Sequence, residues 1–163
     1  MIKEYCTVVH SPIGEISIYA SDNAVFKVSF HHPPNPTLRE NELSHHAATE
    51  LSAYFDGSPQ PFTFPNQQDG TQFQQSVWQV LKTIPYGTTI SYAIQSLQLG
   101  NPLAIRAIAS ANGKNDLAII VPCHRVIGSS GKLVGFAGGL WRKHWLLNHE
   151  HEISQQGQLQ LKF

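Results

Sequence analysis

The feature that most restricts how this 163-residue chain can fold is a stretch over 56–71, rich in Pro, Gln and Gly. It separates two segments of different periodicity. Before it, residues 5–9 and 16–20 are rich in β-branched and aromatic side chains, and Ser11-Pro12-Ile13-Gly14 between them favours a turn. Residues 24–30 follow, with Val25, Lys27 and Ser29 alternating against Phe26, Val28 and Phe30, the period of a half-buried strand. His31-His32-Pro33-Pro34-Asn35-Pro36 breaks this pattern. A helix is then predicted over 37–55, with Leu43, Ala47, Leu51 and Tyr54 near helical spacing, ended by Asp56-Gly57-Ser58-Pro59. One short strand is expected inside the linker, over 62–64. The domain boundary falls near Gln68, giving an N-terminal α/β domain with its linker at 1–68 and a second domain at 69–163.

The second half is helical. A helix over 73–84 carries Phe73, Val77, Leu81 and Ile84 on one apolar stripe and closes at Pro85-Tyr86-Gly87. Ser91 reads as the N-cap of a short helix over 92–99, with Gly100 ending it. Asn101-Pro102 restarts at once, Asn as N-cap and Pro at the first helical position, predicting a helix over 102–112 with Leu103, Ala107, Ile108 and Ala111 inward. Two short helices joined so tightly form a helix-turn-helix pattern. The same spacing also describes an αα-hairpin packed in a core, and spacing alone does not separate them. Leu117 to Val121 make a short apolar run stopped by Pro122. Gly135, Gly138 and Gly139 mark a close-approach loop. A last helix over 140–149 carries Trp141, Trp145 and Leu146, and a polar tail follows.

Charge is sparse, 13% against the ~25% of average globular chains, and sums to zero. Its distribution is uneven. Residues 1–81 hold three bases and eight acids, a net of −5, and residues 82–150 hold seven bases and two acids, a net of +5. A basic half suggests a polyanion partner, although solvated charges falling unevenly would give the same count. No apolar run approaches the ~20 residues of a membrane span, so no membrane partner is expected. The start, Met1-Ile2-Lys3-Glu4-Tyr5, lacks an apolar signal-peptide core. Cys6 and Cys123 are too few for a disulfide framework, and a cytoplasmic protein is expected.

Pro122-Cys123-His124-Arg125-Val126 concentrates the chemistry. A thiolate is a strong nucleophile, and an imidazole and a guanidinium nearby favour its formation. A cysteine can equally pack as a small apolar side chain. Adjacent residues on a strand point to opposite faces, so joint action by Cys123 and His124 requires a backbone turn after Pro122.

The run from Pro122 to Gly128 resembles the active-site motif of the O6-alkylguanine-DNA alkyltransferases (methylated-DNA–protein-cysteine methyltransferases). Gly70-Thr71-Gln72-Phe73-Gln74, Val77-Trp78, Ile84-Pro85-Tyr86-Gly87-Thr88-Thr89, Ser91-Tyr92 and Gly100-Asn101-Pro102 are similar to the family in order and spacing. So are Ala104-Ile105-Arg106-Ala107, Asn112, Asn115, Gly135 to Gly139, Lys143, Trp145-Leu146-Leu147 and Glu150. The likeness is dense over 70–150 and loose before residue 68. It implies an α+β protein, with a small ribonuclease-H-like α/β domain followed by a winged helix-turn-helix-like helical domain.

The resemblance also implies roles. Double-stranded DNA containing alkylated guanine is the partner, met in the minor groove and with the lesion nucleotide flipped out. The protein is expected to be a monomer that can cluster on DNA. Arg106 matches the finger that fills the vacated stack, and Ala104, Ala107, Lys114 and Arg125 are assigned to DNA. Tyr92 matches the tyrosine that helps rotate the nucleotide. Cys123 attacks the alkyl carbon, His124 and Glu150 form the proton relay, and Asn115 is the hinge linking recognition helix to active-site loop. Val126, Gly135, Phe136, Ala137, Gly138 and Lys143 are assigned to the substrate pocket, with a backbone N–H near Ala137 on guanine O6. The alkyl group passes irreversibly from O6-alkylguanine, with O4-alkylthymine as a second candidate donor, to one protein molecule. No cofactor is implied.

Two positions depart from the family pattern. Phe136 stands where Tyr is usual, so slower transfer or an altered adduct preference is expected. Asp116 stands where Pro is common, so a looser hinge is expected. Some members bind a structural zinc through two Cys and two His. Only Cys6 is available in the first domain, so no metal site is expected there, and His31-His32 and His45-His46 are read as solvated pairs. A non-catalytic lesion binder and a Cys-His hydrolase are the alternatives.

Overall fold

The computed structural model describes residues 3–30, 38–128, 130–131 and 133–161, with side chains described as far as residue 155. The chain divides into two compact units, Met1–Asp69 with Asp116–Ala118, and Gly70–Asn115 with Ile119–Phe163. Residues 116–118, which a single boundary near Gln68 leaves in the second half, therefore belong with the first.

The first unit is an antiparallel sheet, β1 (Tyr5–Ser11), β2 (Gly14–Ala20) and β3 (Val25–Ser29), with helix α1 (Glu42–Phe55) against it. Ser11 pairs with Gly14 across a two-residue turn, and Ile16, Ile18 and Ala20 on the middle strand are fully buried. Helix α1 starts later than residue 37 because Asn41 and Ser44 close a capping box. Ser44 N–H donates to Asn41 Oδ1 at 2.7 Å and Asn41 N–H donates to Ser44 Oγ at 3.0 Å. The strand expected over 62–64 is absent. Phe62 instead packs between Tyr54 and Phe64 in a cluster of tilted rings, the Thr63 N–H is taken by the Glu50 carboxylate at 2.7 Å, and a single bridge forms at Asn66 with Val25. Asp116–Ala118 lie beside β3, with Leu117 bridging Val28 and Val28 N–H donating to Asp116 O at 2.8 Å.

His31-His32 lies outside the described residues. His45 and His46 diverge, His45 towards Glu40 at 3.8 Å and His46 onto Glu50 at 2.6 Å. No helix of the described residues is long and apolar enough to cross a membrane.

The second unit contains α2 (Gln72–Lys82), β4 (Ile90–Ser91), α3 (Tyr92–Leu99), α4 (Ile105–Gly113), a 3-10 turn (Cys123–Arg125), β5 (Val126–Ile127) paired parallel to β4, and α5 (Leu140–Leu161). Its core holds Val77, Trp78, Leu81, Ile84, Ile108, Ala111 and Leu146. Trp78 Nε1 reaches the carbonyl of Ala111 at 2.9 Å, satisfying the indole inside the core. Ser91 caps α3 and Gly100 ends it in the left-handed region, φ 81°.

Helix α4 starts three residues later than predicted. Asn101 to Ala104 form a turn instead, with Ala104 N–H bonded to Asn101 O, and no side chain caps the helix. The delay leaves Leu103 outside the helix. Leu103, expected inward, is 95% exposed, and Ala107 is exposed, while Ile108 and Ala111 face the core. Helix α5 outruns the predicted 140–149 because no Gly or Pro stands between Glu150 and Gly157 to stop it.

Candidate active site

The turn that joint action of Cys123 and His124 requires is present. Pro122, at φ −82° and ψ 65°, leads into the 3-10 turn of Cys123–Arg125. A strand would send these side chains to opposite faces, and the tight turn does not. His124 and Arg125 are buried, and Cys123 is half-buried.

Glu150, on the third turn of α5, is the hub. Its Oε2 accepts from His124 Nε2 at 2.6 Å and from Arg125 Nη2 at 3.1 Å, and its Oε1 accepts from Arg125 Nε at 2.7 Å and more distantly from Gly87 N–H at 3.4 Å. Burial would raise this carboxyl, but the His124 imidazole and the Arg125 guanidinium hold it well below the usual carboxylate range. An ionised Glu150 only accepts, so Nε2 of His124 carries the proton and Nδ1 carries the lone pair of the neutral ring. That Nδ1 is buried and has no hydrogen-bond partner among the described residues. Burial pushes His124 below its ordinary 6.5 despite Glu150, which keeps the imidazole neutral near pH 7.

Around the thiol, burial pushes Cys123 up from its ordinary 9.0. The Asn115 side chain, hydrogen-bonded to it, and the Lys143 charge oppose that rise. Asn115 Nδ2 also donates to Val121 O at 2.8 Å, joining the residue after α4 to the segment entering the cysteine turn. Lys143 is 1% exposed, and its Nζ donates to the carbonyls of Val134 and Gly135 at 2.8 and 3.3 Å. The phenol of Tyr92 donates to the same Val134 carbonyl at 3.2 Å. Burial raises the Tyr92 phenol, and so does the negative charge Cys123 would carry, which couples the two electrostatically. Asn115, Lys143 and Tyr92 thus gather around Cys123, and the His124–Glu150 pair adjoins them through the chain at Cys123–His124 and through the Lys143 charge, which acts on both Cys123 and His124.

The remaining predicted residues divide. Arg106, Ala107 and Lys114 are exposed on α4 and its end, and Ala104 is half-buried before it. Arg125 is not available to DNA. It is 9% exposed, and its guanidinium is taken by Glu150 and by the Ile84 carbonyl at 2.9 Å. Val126 is fully buried in β5. Phe136 and Gly139 close a turn, Gly139 N–H to Phe136 O at 2.9 Å, with Phe136 half-buried, Gly135 and Ala137 exposed, and Gly138 buried.

Sequence reasoning missed two participants and one buried polar residue outside the cluster. The Val134 carbonyl carries no side-chain signal. Gly87 sits in a recognised turn, yet its role is steric. At φ 78°, a Cβ there would stand 1.9 Å from Ser154 Oγ on α5, the helix that carries Glu150. Gln95 is a buried polar residue on a helix whose Ile94 and Leu97 are exposed, an inversion of the usual pattern.

Residues 72–152 match a protein-family model described as the 6-O-methylguanine DNA methyltransferase DNA-binding domain, and residues 4–67 match the ribonuclease-like domain of the same family. A methylated-DNA–protein-cysteine methyltransferase of Methanosarcina acetivorans is 41% identical over 152 residues, covering 90% of this chain and 97% of its own. One of Mycobacterium leprae is 45% identical over 156 residues, covering 91% and 94%. The crystal structure of Mycobacterium tuberculosis OGT in complex with DNA superposes with a TM-score of 0.84 at 40% identity, covering 91% of this chain and 94% of that one. With both halves matched in order and relatives aligned along almost their whole length, this chain belongs to the 6-O-methylguanine DNA methyltransferase family.

Proposed function

We propose that this chain repairs DNA by moving the alkyl group of O6-alkylguanine directly and irreversibly onto Cys123, one group per protein molecule. The observation that carries the reading is the buried Glu150–His124 pair, whose unpartnered Nδ1 lies on the residue next to the candidate nucleophile. His124 Nδ1 draws the thiol proton through a bridging water, and Glu150 stabilises the resulting imidazolium. The thiolate attacks the alkyl carbon, so a C–S bond forms as the C–O6 bond breaks, and the purine leaves with the electron pair. Tyr92 or water protonates the leaving purine, and the N–H near Ala137 binds O6. The thioether resists water, so the protein is spent in one reaction. Thiolate attack and leaving-group protonation complete the step without a cofactor.

An alkyl group on O6 lies inside the duplex stack, so the nucleotide must be everted. Arg106 is exposed on α4 beside Ile105, 41% exposed, and Leu103. Such a set of apolar groups around one cation suits insertion into the minor groove, where sugar faces and phosphates alternate. Lys114 at the end of the same helix would meet a phosphate. In this reading the protein works as a monomer in the cytoplasm, clusters along DNA, and takes O4-alkylthymine as a second substrate.

Intact-mass analysis after incubation with a duplex containing O6-methylguanine tests the reading. A single methyl addition mapped to Cys123 is expected, with none in Cys123→Ala. Tight lesion binding with no mass change would make the chain a lesion binder instead. Repeated turnover on an acyl ester would make it a hydrolase.

A further inference from the structure

Gln95 on α3 and Asn112 on α4 form a buried reciprocal amide pair, and the alkyl-transfer chemistry uses neither of them. Gln95 Nε2 donates to Asn112 Oδ1 and Asn112 Nδ2 donates to Gln95 Oε1, both at 2.9 Å. Gln95 has no exposed surface and Asn112 has 7%. Two apolar side chains would fill this space with no polar group to desolvate, so stability alone does not explain the pair. Its geometry offers something apolar contacts do not. Apolar surfaces slide over one another at little cost, whereas two antiparallel amide bonds hold only at one separation and one relative rotation. A buried amide that fixes how two helices meet is an established use of core polar groups.

The two helices carry the residues assigned to eversion. Tyr92 lies one turn before Gln95 on α3, and Arg106 lies at the start of the helix that Asn112 helps to finish. Resting on the alkyl-transfer reading, we propose that Gln95 and Asn112 are a positioning pair that sets α3 against α4, and hence Tyr92 against Arg106, for nucleotide eversion. Neither residue touches the reacting atoms. Their effect should appear with a duplex, where both helices must engage one nucleotide, more than with a free base that needs no eversion.

The readout is the ratio of single-turnover transfer rates, methylated duplex over free O6-benzylguanine, measured on the full chain. In the double variant Gln95→Leu/Asn112→Leu no amide is left orphaned, so the fold should persist while the ratio falls roughly tenfold, the scale of a small misplacement of an engaging group. Gln95→Asn alone shortens one arm and should lower the ratio. Adding Asn112→Gln restores the combined length and should bring it back. The proposal is overturned by an unchanged ratio in the folded double-leucine variant, or by a restored-length variant that stays as impaired as Gln95→Asn. If the unmodified chain transfers no alkyl group from either substrate, the alkyl-transfer reading itself fails and takes the pair's role with it. Transfer by the unmodified chain combined with an unchanged variant ratio removes only the pair's role.

Discussion

Arg125 grips Glu150 through two guanidinium nitrogens, at 2.7 and 3.1 Å, on the same carboxylate that receives His124 at 2.6 Å. The residue following the Cys-His dipeptide is therefore a partner of the His124–Glu150 pair and not a free cation. The Tyr86 ring lies 5.6 Å below the guanidinium, further enclosing it. Replacing Arg125 by Met should leave a buried carboxylate short of its strongest donor. A loss of about 3–5 kcal/mol in unfolding free energy is expected, measured by urea denaturation. The salt dependence of DNA binding, by contrast, should not change in this variant, since no phosphate contact is lost. Lys114→Ala should flatten that slope by about one counterion. A slope reduced equally by both variants would return Arg125 to the DNA surface.

Arg106 provides the complementary case. It is exposed, and no ion pair involves it among the described residues. Arg106→Ala should slow transfer from a methylated duplex while sparing reaction with free O6-benzylguanine. A side chain that offsets even ~1.4 kcal/mol of unstacking is worth about tenfold in rate. Equal losses on both substrates would remove it from nucleotide eversion.

The relay sets the pH response. Burial holds His124 below its ordinary 6.5 in the folded protein, so on acidification the unfolded chain takes up this proton first. Stability from this group is complete above pH 6.5 and falls below it. Glu150 acts in the same direction lower down. Its folded value lies far below the ordinary 4.5, so below pH 4.5 the unfolded chain again binds the extra proton and stability falls further. Cys123 acts at the other end, because burial raises it above 9.0 and the unfolded thiol ionises first as pH rises past that value. If His124 accepts the thiol proton as proposed, the transfer rate needs it neutral, and its acid limb should have a midpoint below 6.5. Single-turnover rates between pH 5 and 8 check this, and a midpoint above 6.5 would mean that Glu150 outweighs burial.

Much of this arrangement is legible in the sequence, for identifiable reasons. Strands β1 to β3 follow from alternation and turn chemistry, and α3 follows from Ser91 and Gly100, because those signals are local. The start of α4 is misjudged because Asn101-Pro102 satisfies every local rule for a helix N-terminus, yet the chain spends four residues on a turn. The inward face of α3 is also misleading. Gln95 and Ser96 are buried while Ile94 and Leu97 are exposed, so a pattern that sends apolar residues to the core reads this helix backwards. The charge count points to a polyanion, as the DNA-binding family model bears out, but it overstates the free positive charge. Of the seven bases in 82–150, Arg125 and Lys143 are spent inside the site. Cys123, His124 and Glu150 are readable only as a set of motifs, because the hydrogen bond joining His124 to Glu150 spans 26 positions.

The segment after Asn115 gives a final prediction. Asp116 replaces the proline common in the family, and a looser hinge is the natural expectation. A proline there would have no N–H, but Asp116 has one, and Gln68 Oε1 accepts it at 2.8 Å while the Asp116 carbonyl accepts from Val28. The backbone is thus held at both polar groups, and Ile119, three residues on, sits at φ 73°, a conformation a β-branched residue adopts only under constraint. Asp116→Pro exchanges one form of rigidity for another. It lowers the entropy of the unfolded chain by less than ~1 kcal/mol and loses a hydrogen bond worth about as much or more, so a small net destabilisation is expected. Gln68→Ala should cost about 1–3 kcal/mol in the natural background, where it orphans the Asp116 N–H, and clearly less with Pro at position 116, where there is no N–H to orphan. Urea denaturation of the four proteins in this cycle yields the coupling directly. A coupling of zero would show that Gln68 does not clamp the segment, and the looser hinge would then stand.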